Sequence, residues 1–136
     1  ELKKLAAELK IQDSVKFTGY VSTEEKVERL RKSHVAVLPS LKEGWGLTNI
    51  EANSVGTTVV AANSPGLRDS VKDNETGFLY EYGNVNELSE KLISVLTDEI
   101  LRKRLEQGGL EWAERFNWDN AAQKFNKLIE KVVREY

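Results

Sequence analysis

Two short apolar runs with almost no polar interruption, His34-Val35-Ala36-Val37-Leu38 and Thr58-Val59-Val60-Ala61-Ala62, constrain this chain most. A strand with one wet face alternates apolar and polar residues, whereas a continuous apolar run is what a strand covered on both faces shows. Pro39 has no amide to donate and marks the end of the first run. Between the runs, Leu47, Ile50, Glu51, Ala52 and Val55 have helical spacing, and Gly56 is placed as the residue just past the helix end. Strand, helix and strand in that order imply parallel pairing through a right-handed crossover. The expected class is therefore α/β, with a mainly parallel sheet and flanking helices.

The remaining segments extend this alternation. Leu2, Leu5, Ala6 and Leu9 form one helical face at the start, and Val15-Lys16-Phe17-Thr18 alternates up to Gly19, which predicts a short strand. Ser22 and Glu25 have capping-box spacing, so a helix should run from there to about Lys32. Asn63-Ser64-Pro65-Gly66 is loop chemistry, residues 67–71 one helical turn, residues 73–75 a turn, and residues 76–80 a fourth strand. Helices are expected over 86–97, 98–116 and from Trp118 onward. Asn117 serves as the last N-cap, and residues 119–136 form a C-terminal helix with Ala121, Phe125, Leu128 and Val132 as its apolar stripe. Trp112, Phe116 and Trp118 are expected in the core, and the lone His34 at an edge or on the surface. No repeat or Gly/Ser/Pro-rich linker divides residues 1–136, which read as a single domain.

Composition closes off several functions. The 136 residues allow one modest domain, and 40% apolar with 31% charged residues is a globular balance. Twenty Lys and Arg against 22 Asp and Glu leave a net charge of −2, so no global field favours nucleic acid. The absence of Cys removes disulfides, thiolate nucleophiles and Cys-ligated metals, and a single His makes no histidine cluster. Nothing points to a carboxylate metal site, so neither a metal nor a cofactor is expected. No run approaches ~18 apolar residues and no signal-peptide core opens the chain, so a cytoplasmic location is expected. The chain has no Met and opens at Glu1, which implies a removed initiator or a piece of something longer.

In open α/β sheets ligands sit outside the carboxyl ends of the strands, here the loops after Phe17, Leu38, Ala62 and Leu79. The loop after Leu38 is the informative one: Pro39-Ser40-Leu41-Lys42-Glu43-Gly44-Trp45-Gly46-Leu47-Thr48-Asn49-Ile50-Glu51. Its glycines uncover the backbone where a helix begins, so amides over 45–49 and the positive helix end can face an anion such as a diphosphate. Lys42 either adds charge there or points to solvent. Glu43 and Glu51 can flank the same helix mouth. Plainer roles are open for both features. Thr48 and Glu51 have capping-box spacing, and Gly-Trp-Gly can be a tight turn with the indole anchored in the core.

The stretch over 39–71, PSLKEGWGLTNIEANSVGTTVVAANSPGLRDSV, resembles the signature region of the family 4 retaining glycosyltransferases of GT-B fold. It holds their E-x7-E motif as Glu43 and Glu51, the preceding Pro-Ser, a Gly-aromatic-Gly-Leu turn and a Gly-x-x-Val-Val strand. VKFTGYVS, NETGFLY and ERFNWDNAAQKF are similar to the flanking parts, so the resemblance covers nearly the whole chain. It implies a Rossmann-like, nucleotide-sugar-binding C-terminal domain of a hexosyltransferase-type enzyme, with a UDP-, GDP- or ADP-sugar as donor. By position, Glu51 would bind the ribose hydroxyls and Glu43 would be the catalytic residue facing the transferred sugar. Amides over Gly44, Trp45, Gly46, Leu47 and Thr48 would bind sugar hydroxyls and the diphosphate without a metal. Tyr20 and Val21 would hold the base, with Ser40 and Asn49 as neighbours.

Departures from the family pattern matter as much. Asn53, Ser54 and Thr58 stand where Met, Ala and Pro are common, which implies a more polar helix-to-strand packing. The strands that carry the family's Gly-rich turn and its diphosphate-binding Arg and Lys have no counterpart ahead of Glu1, nor has the N-terminal acceptor domain. That domain would bind the acceptor and make any membrane contact. The expectation is a donor-binding part of a glycosyltransferase, catalytically inert by itself. The alternative is a non-catalytic nucleotide-binding or assembly module. In the family's strand order the missing strands lie between residues 15–18 and 35–38. Either those two strands re-pair directly or a homodimer covers the exposed sheet edges.

Overall fold

The computed structural model describes residues 1–135. Helix α1 (Leu2–Glu8) and a single 3-10 turn (Gln12–Ser14) precede α2 (Thr23–Arg31), β1 (Val35–Leu38) and α3 (Leu47–Ser54). There follow β2 (Thr58–Ala62), α4 (Leu67–Ser70), β3 (Gly77–Tyr80), α5 (Val85–Thr97), α6 (Glu99–Ala113) and α7 (Trp118–Glu135). The three strands form a parallel sheet in the order β1-β2-β3, with Val35 opposite Thr58 and Val59 opposite Gly77.

Every residue of β2 is buried, so the second apolar run is the sheet's central, doubly covered strand. The first is not. β1 lies at the sheet edge and Val37 is 39% exposed, because no element beyond it covers its outer side among the described residues. Helices α3 and α6 pack on each other and on β2, while α5 contacts all three strands. Leu67, Val71, Val95 and Leu105 join Val59, Val60 and Ala61 in one core. The α3–β2 layer is polar as well as apolar. With its amide nitrogen turned toward them, Asn53 donates to the Thr57 and Thr76 carbonyls at 3.2 and 3.3 Å, and Thr58 is fully buried.

Local signals set the helix ends. The Ser22 hydroxyl accepts from the Glu25 amide at 3.2 Å, while the Glu25 carboxylate turns to Arg29, so only half of the capping box forms. Hydrogen bonds from its own backbone amide and from Ser22 hold the exposed Glu24 carboxyl below its ordinary value. Gly56, at φ +82°, ends α3, and the Asn117 side chain caps α7 through the Asn120 amide at 2.8 Å.

Three expectations are corrected. Residues 15–18 are not a strand: they pair with no strand among the described residues and Val15 and Phe17 are exposed, because alternation creates a strand only where the fold brings the segment alongside an edge. Direct re-pairing of that segment with β1 therefore does not occur, and among the described residues the sheet has three strands instead of four. Phe116 is partly exposed and Trp118 is 90% exposed, since α7 buries none of its residues and its stripe of Phe125, Leu128 and Val132 faces outward. Among the described residues no helix is long and apolar enough to cross a membrane.

Leu105 brings α6 onto the core at 0% exposure. Leu105→Ala should cost about 2–5 kcal/mol through lost burial and an incompletely collapsed cavity. Trp118→Ala should change stability by no more than ~0.5 kcal/mol. Urea unfolding of both variants, read as midpoint at constant slope, checks the contrast.

Candidate functional site

The loop between β1 and α3 is held by the loop that follows β2. The Ser64 hydroxyl donates to the Ser40 carbonyl at 2.8 Å, and the Glu43 amide donates to the Pro65 carbonyl at 3.1 Å. Gly66 sits at φ +86° against the Glu43 carbonyl, so close that a Cβ there would overlap it. These contacts fix Glu43 and turn the chain into Gly44-Trp45-Gly46. Gly46, at φ +78°, is the N-cap of α3, and a Cβ on it would lie 2.6 Å from the Ser70 hydroxyl.

From below, Asn49 donates to that Ser70 hydroxyl at 2.9 Å, and the Trp112 indole N–H donates to the Ser70 carbonyl at 3.0 Å. The Trp45 indole packs edge-on against Phe116, with centroids 4.6 Å apart, and Phe116 packs edge-on against Trp112 at 4.8 Å. Trp45 is thus half-buried by an aromatic ladder rising from the end of α6. This geometry gives it the anchoring role, and its exposed remainder still lines the cavity described next.

A cavity of about 450 Å³ opens at the carboxyl end of β1, lined by Leu38, Glu43, Gly44, Trp45, Gly46, Leu47 and Thr48. The amides from Gly44 to Thr48 donate to no backbone carbonyl among the described residues, whereas the Asn49 amide turns back to the Gly46 carbonyl at 2.9 Å. A run of free amides at the positive end of a helix, beside an exposed carboxylate, suits a ligand that carries both anionic oxygens and hydroxyls. Glu51 lies on the next turn of α3. Its carboxylate accepts from Lys26 of α2 at 2.7 Å, and both side chains stay partly open to solvent, at 42% and 39% exposure.

A second, smaller cavity of about 240 Å³ lies at the same end of the sheet, lined by Pro39, Tyr80, Tyr82, Gly83, Val85 and Leu88. Burial, with Tyr82 adding to it, pushes the Tyr80 phenol above its ordinary value. Among the described residues no group of three or more His, Cys, Asp or Glu side chains is arranged to hold a metal ion.

The sequence pattern described as "Glycosyl transferases group 1" matches residues 1–112 of this chain. The chain belongs to the group 1 glycosyl transferases. A D-inositol 3-phosphate glycosyltransferase of Streptomyces bingchenggensis is 36% identical over 135 residues, covering 99% of this chain and 30% of that protein. Among solved structures, the sucrose-phosphate synthase of Thermosynechococcus elongatus is 29% identical with a TM-score of 0.87, covering 99% of this chain and 34% of that one. HepE of Anabaena, solved in complex with UDP, shares the fold at 22% identity and a TM-score of 0.87, over 96% of this chain and 36% of its own. The α/β sheet is thus that of the GT-B C-terminal domains, and this chain spans about a third of the length of such relatives.

Within this group 1 chain, Glu43, Gly44, Trp45, Gly46, Leu47 and Thr48 converge on one cavity. Ser40 lies in the clamped loop and contributes its carbonyl to Ser64. Glu51 stands one turn away, outside the lining. Tyr20 is 98% exposed and Val21 half-buried, both ahead of α2 and outside the cavity. The capping box expected from Thr48 and Glu51 does not form, because the helix starts at Gly46 and the Glu51 carboxylate goes to Lys26. Lys42 is exposed.

Lys26, Ser64, Gly66 and Ser70 were not among the expected site residues. Only Gly66, in its Pro-Gly turn, carried a local signal; the others act across long sequence separations. Gly66→Ala should destabilise the chain by about 1–3 kcal/mol, since it meets both a positive φ and the Glu43 carbonyl. The same substitution should shift the Gly44, Trp45 and Gly46 amide resonances. Unmoved resonances with unchanged urea stability would disprove the clamp.

Proposed function

We propose that this chain is the donor-binding part of a retaining, family 4 glycosyltransferase, taking a UDP-, GDP- or ADP-sugar and acting in the cytoplasm. The observation that carries the reading is the run of unpaired amides from Gly44 to Thr48 around the cavity beside Glu43. Similarity to glycosyltransferases over nearly the whole chain supports it. The amides and the helix α3 dipole receive the diphosphate and stabilise it as it leaves with its charge increasing, using dipoles already oriented before reaction. Glu43, fixed through its backbone by Pro65 and Gly66, presents its carboxylate to the hydroxyls of the transferred sugar and to the reacting carbon. Glu51 accepts from the ribose hydroxyls, and Tyr20 and Val21 flank the base. Glu43 and Glu51 are then the two acidic positions of the E-x7-E motif.

The acceptor is assigned to a further domain that completes the enzyme, so the isolated chain binds donor and transfers nothing. Its unpaired β1 edge and outward apolar faces suit association, either with that domain or with a second copy as a homodimer.

Titration of the chain with UDP, GDP, ADP and their sugars, followed by calorimetry and amide shifts, tests the reading. One nucleotide series should bind at submillimolar concentration and shift Gly44 to Thr48. Glu51→Ala should weaken it roughly tenfold or more, as loss of hydrogen bonds to a charged acceptor predicts. Affinity indifferent to that substitution removes Glu51 from the site. Absence of binding at millimolar ligand replaces the donor role with that of an assembly module.

A further inference from the structure

We infer that Lys26 is a positioning residue for the ribose-binding carboxylate, acting through Glu51 and touching no part of the nucleotide itself. The inference rests on the donor-binding reading above and deepens it. It starts from one contact: Lys26 Nζ donates to Glu51 Oε1 at 2.7 Å, from α2 to α3, across 25 residues of sequence.

Three observations give that contact a role beyond packing. First, it engages one carboxylate oxygen only. Glu51 Oε2 has no hydrogen-bond partner among the described residues, so the anion keeps acceptor capacity for an incoming hydroxyl while the ammonium fixes its rotamer. Second, the other ion pairs of the described residues join side chains four apart on one helix, Arg29–Glu25 and Lys103–Glu99 among them. Among the described residues Lys26–Glu51 alone joins two elements and thus constrains a side chain relative to the fold. Third, the pair is neither buried nor fully solvated, so a ligand can reach Glu51 without the cost of stripping a sealed ion pair.

The register of α2 places Lys26 for this purpose. Ser22 caps the helix, and Lys26 follows it by one turn, its amide donating to the Ser22 carbonyl at 2.9 Å. The segment carrying Tyr20 and Val21 enters α2 at that cap. The helix therefore delivers the expected base-binding backbone and the support for the ribose-binding carboxylate as one unit. A free Glu51 would have to give up rotamer freedom on binding; a held one has largely done so already.

The test separates support from mere stability. Affinities of the chain for UDP and 2′,3′-dideoxy-UDP, which lacks both ribose hydroxyls, are measured by calorimetry, with GDP and ADP and their 2′,3′-dideoxy counterparts in parallel, for the unaltered chain, Lys26→Met, Lys26→Arg, Glu51→Gln and Lys26→Met/Glu51→Gln. The unaltered chain should prefer the ribonucleotide. Lys26→Met, which keeps the apolar stem, should weaken ribonucleotide binding about two- to fivefold, the range a partly exposed ion pair supplies, and leave the 2′,3′-dideoxynucleotide nearly unchanged. Lys26→Arg should restore most of the preference, and in the Glu51→Gln background Lys26→Met should have no further effect.

A structural role would weaken both nucleotides alike, and that result overturns the inference while leaving donor binding intact. Undiminished ribose preference in Lys26→Met overturns it as well. A chain that binds nucleotide without ribose preference removes Glu51 from the ribose and Lys26 with it. A chain that binds none of these nucleotides overturns the donor reading and this inference together.

Discussion

The burial of β2 is the constraint on which the rest of the structure depends. All five residues, Thr58 to Ala62, are inaccessible, and both edges of the strand are hydrogen-bonded in parallel. Parallel neighbours cannot be joined by tight turns, so each connection must leave the sheet, cross a face as a helix and return. Helix α3 makes the first crossing and α4 belongs to the second. Their loops consequently emerge side by side at the carboxyl end of the sheet. The Ser64–Ser40 and Glu43–Pro65 bonds are the direct result: two loops brought together by the strands they follow.

The site inherits its rigidity from that arrangement. The 44–48 backbone is braced from one side by Gly66, from below by Asn49 and Ser70, and from the end of α6 by Trp112 and Phe116 through Trp45. None of these supports occupies an amide of the Gly44 to Thr48 run. The consequence is a cluster of oriented donors with no backbone partner, in a place where an ordinary helix start would be satisfied by a capping side chain. Gly46 at the N-cap provides no side-chain acceptor, and its positive φ together with the close approach of Ser70 leaves no room for one.

How much of this was legible followed the range of the interactions involved. The buried strand over 58–62, the caps at Ser22 and Asn117 and the helix stop at Gly56 depend on residues a few positions apart, and they were readable. So was the loop over 39–51, because Gly-Trp-Gly before a helix has local geometric meaning. Residues 15–18 misled because alternation describes a strand's faces and says nothing about whether the fold brings the segment alongside an edge. Trp118 misled for a related reason: an aromatic residue at helical spacing reads as core only when something packs on that face. The partner of Glu51 was out of reach because spacing from Thr48 suggested a local cap, whereas the ammonium that takes the carboxylate arrives from another helix.

A site made mainly of backbone also explains why motif letters describe it only from the outside. The free amides belong to Gly44, Trp45, Gly46, Leu47 and Thr48, and at Leu47 and Thr48 the side chain can change while the donor remains. What cannot change without moving the amides is the set of residues that leave space or set dihedrals, Gly46 and Gly66, and those that brace from beneath, Asn49 and Ser70. The two carboxylates, Glu43 and Glu51, are held by contrasting means: one by its own backbone in a clamped loop, the other by its side chain through Lys26. A carboxylate on a clamped loop keeps its starting point while its tip is free to follow a substrate. A carboxylate tied by an ammonium keeps its tip in place, which suits recognition of a group whose position does not change during reaction.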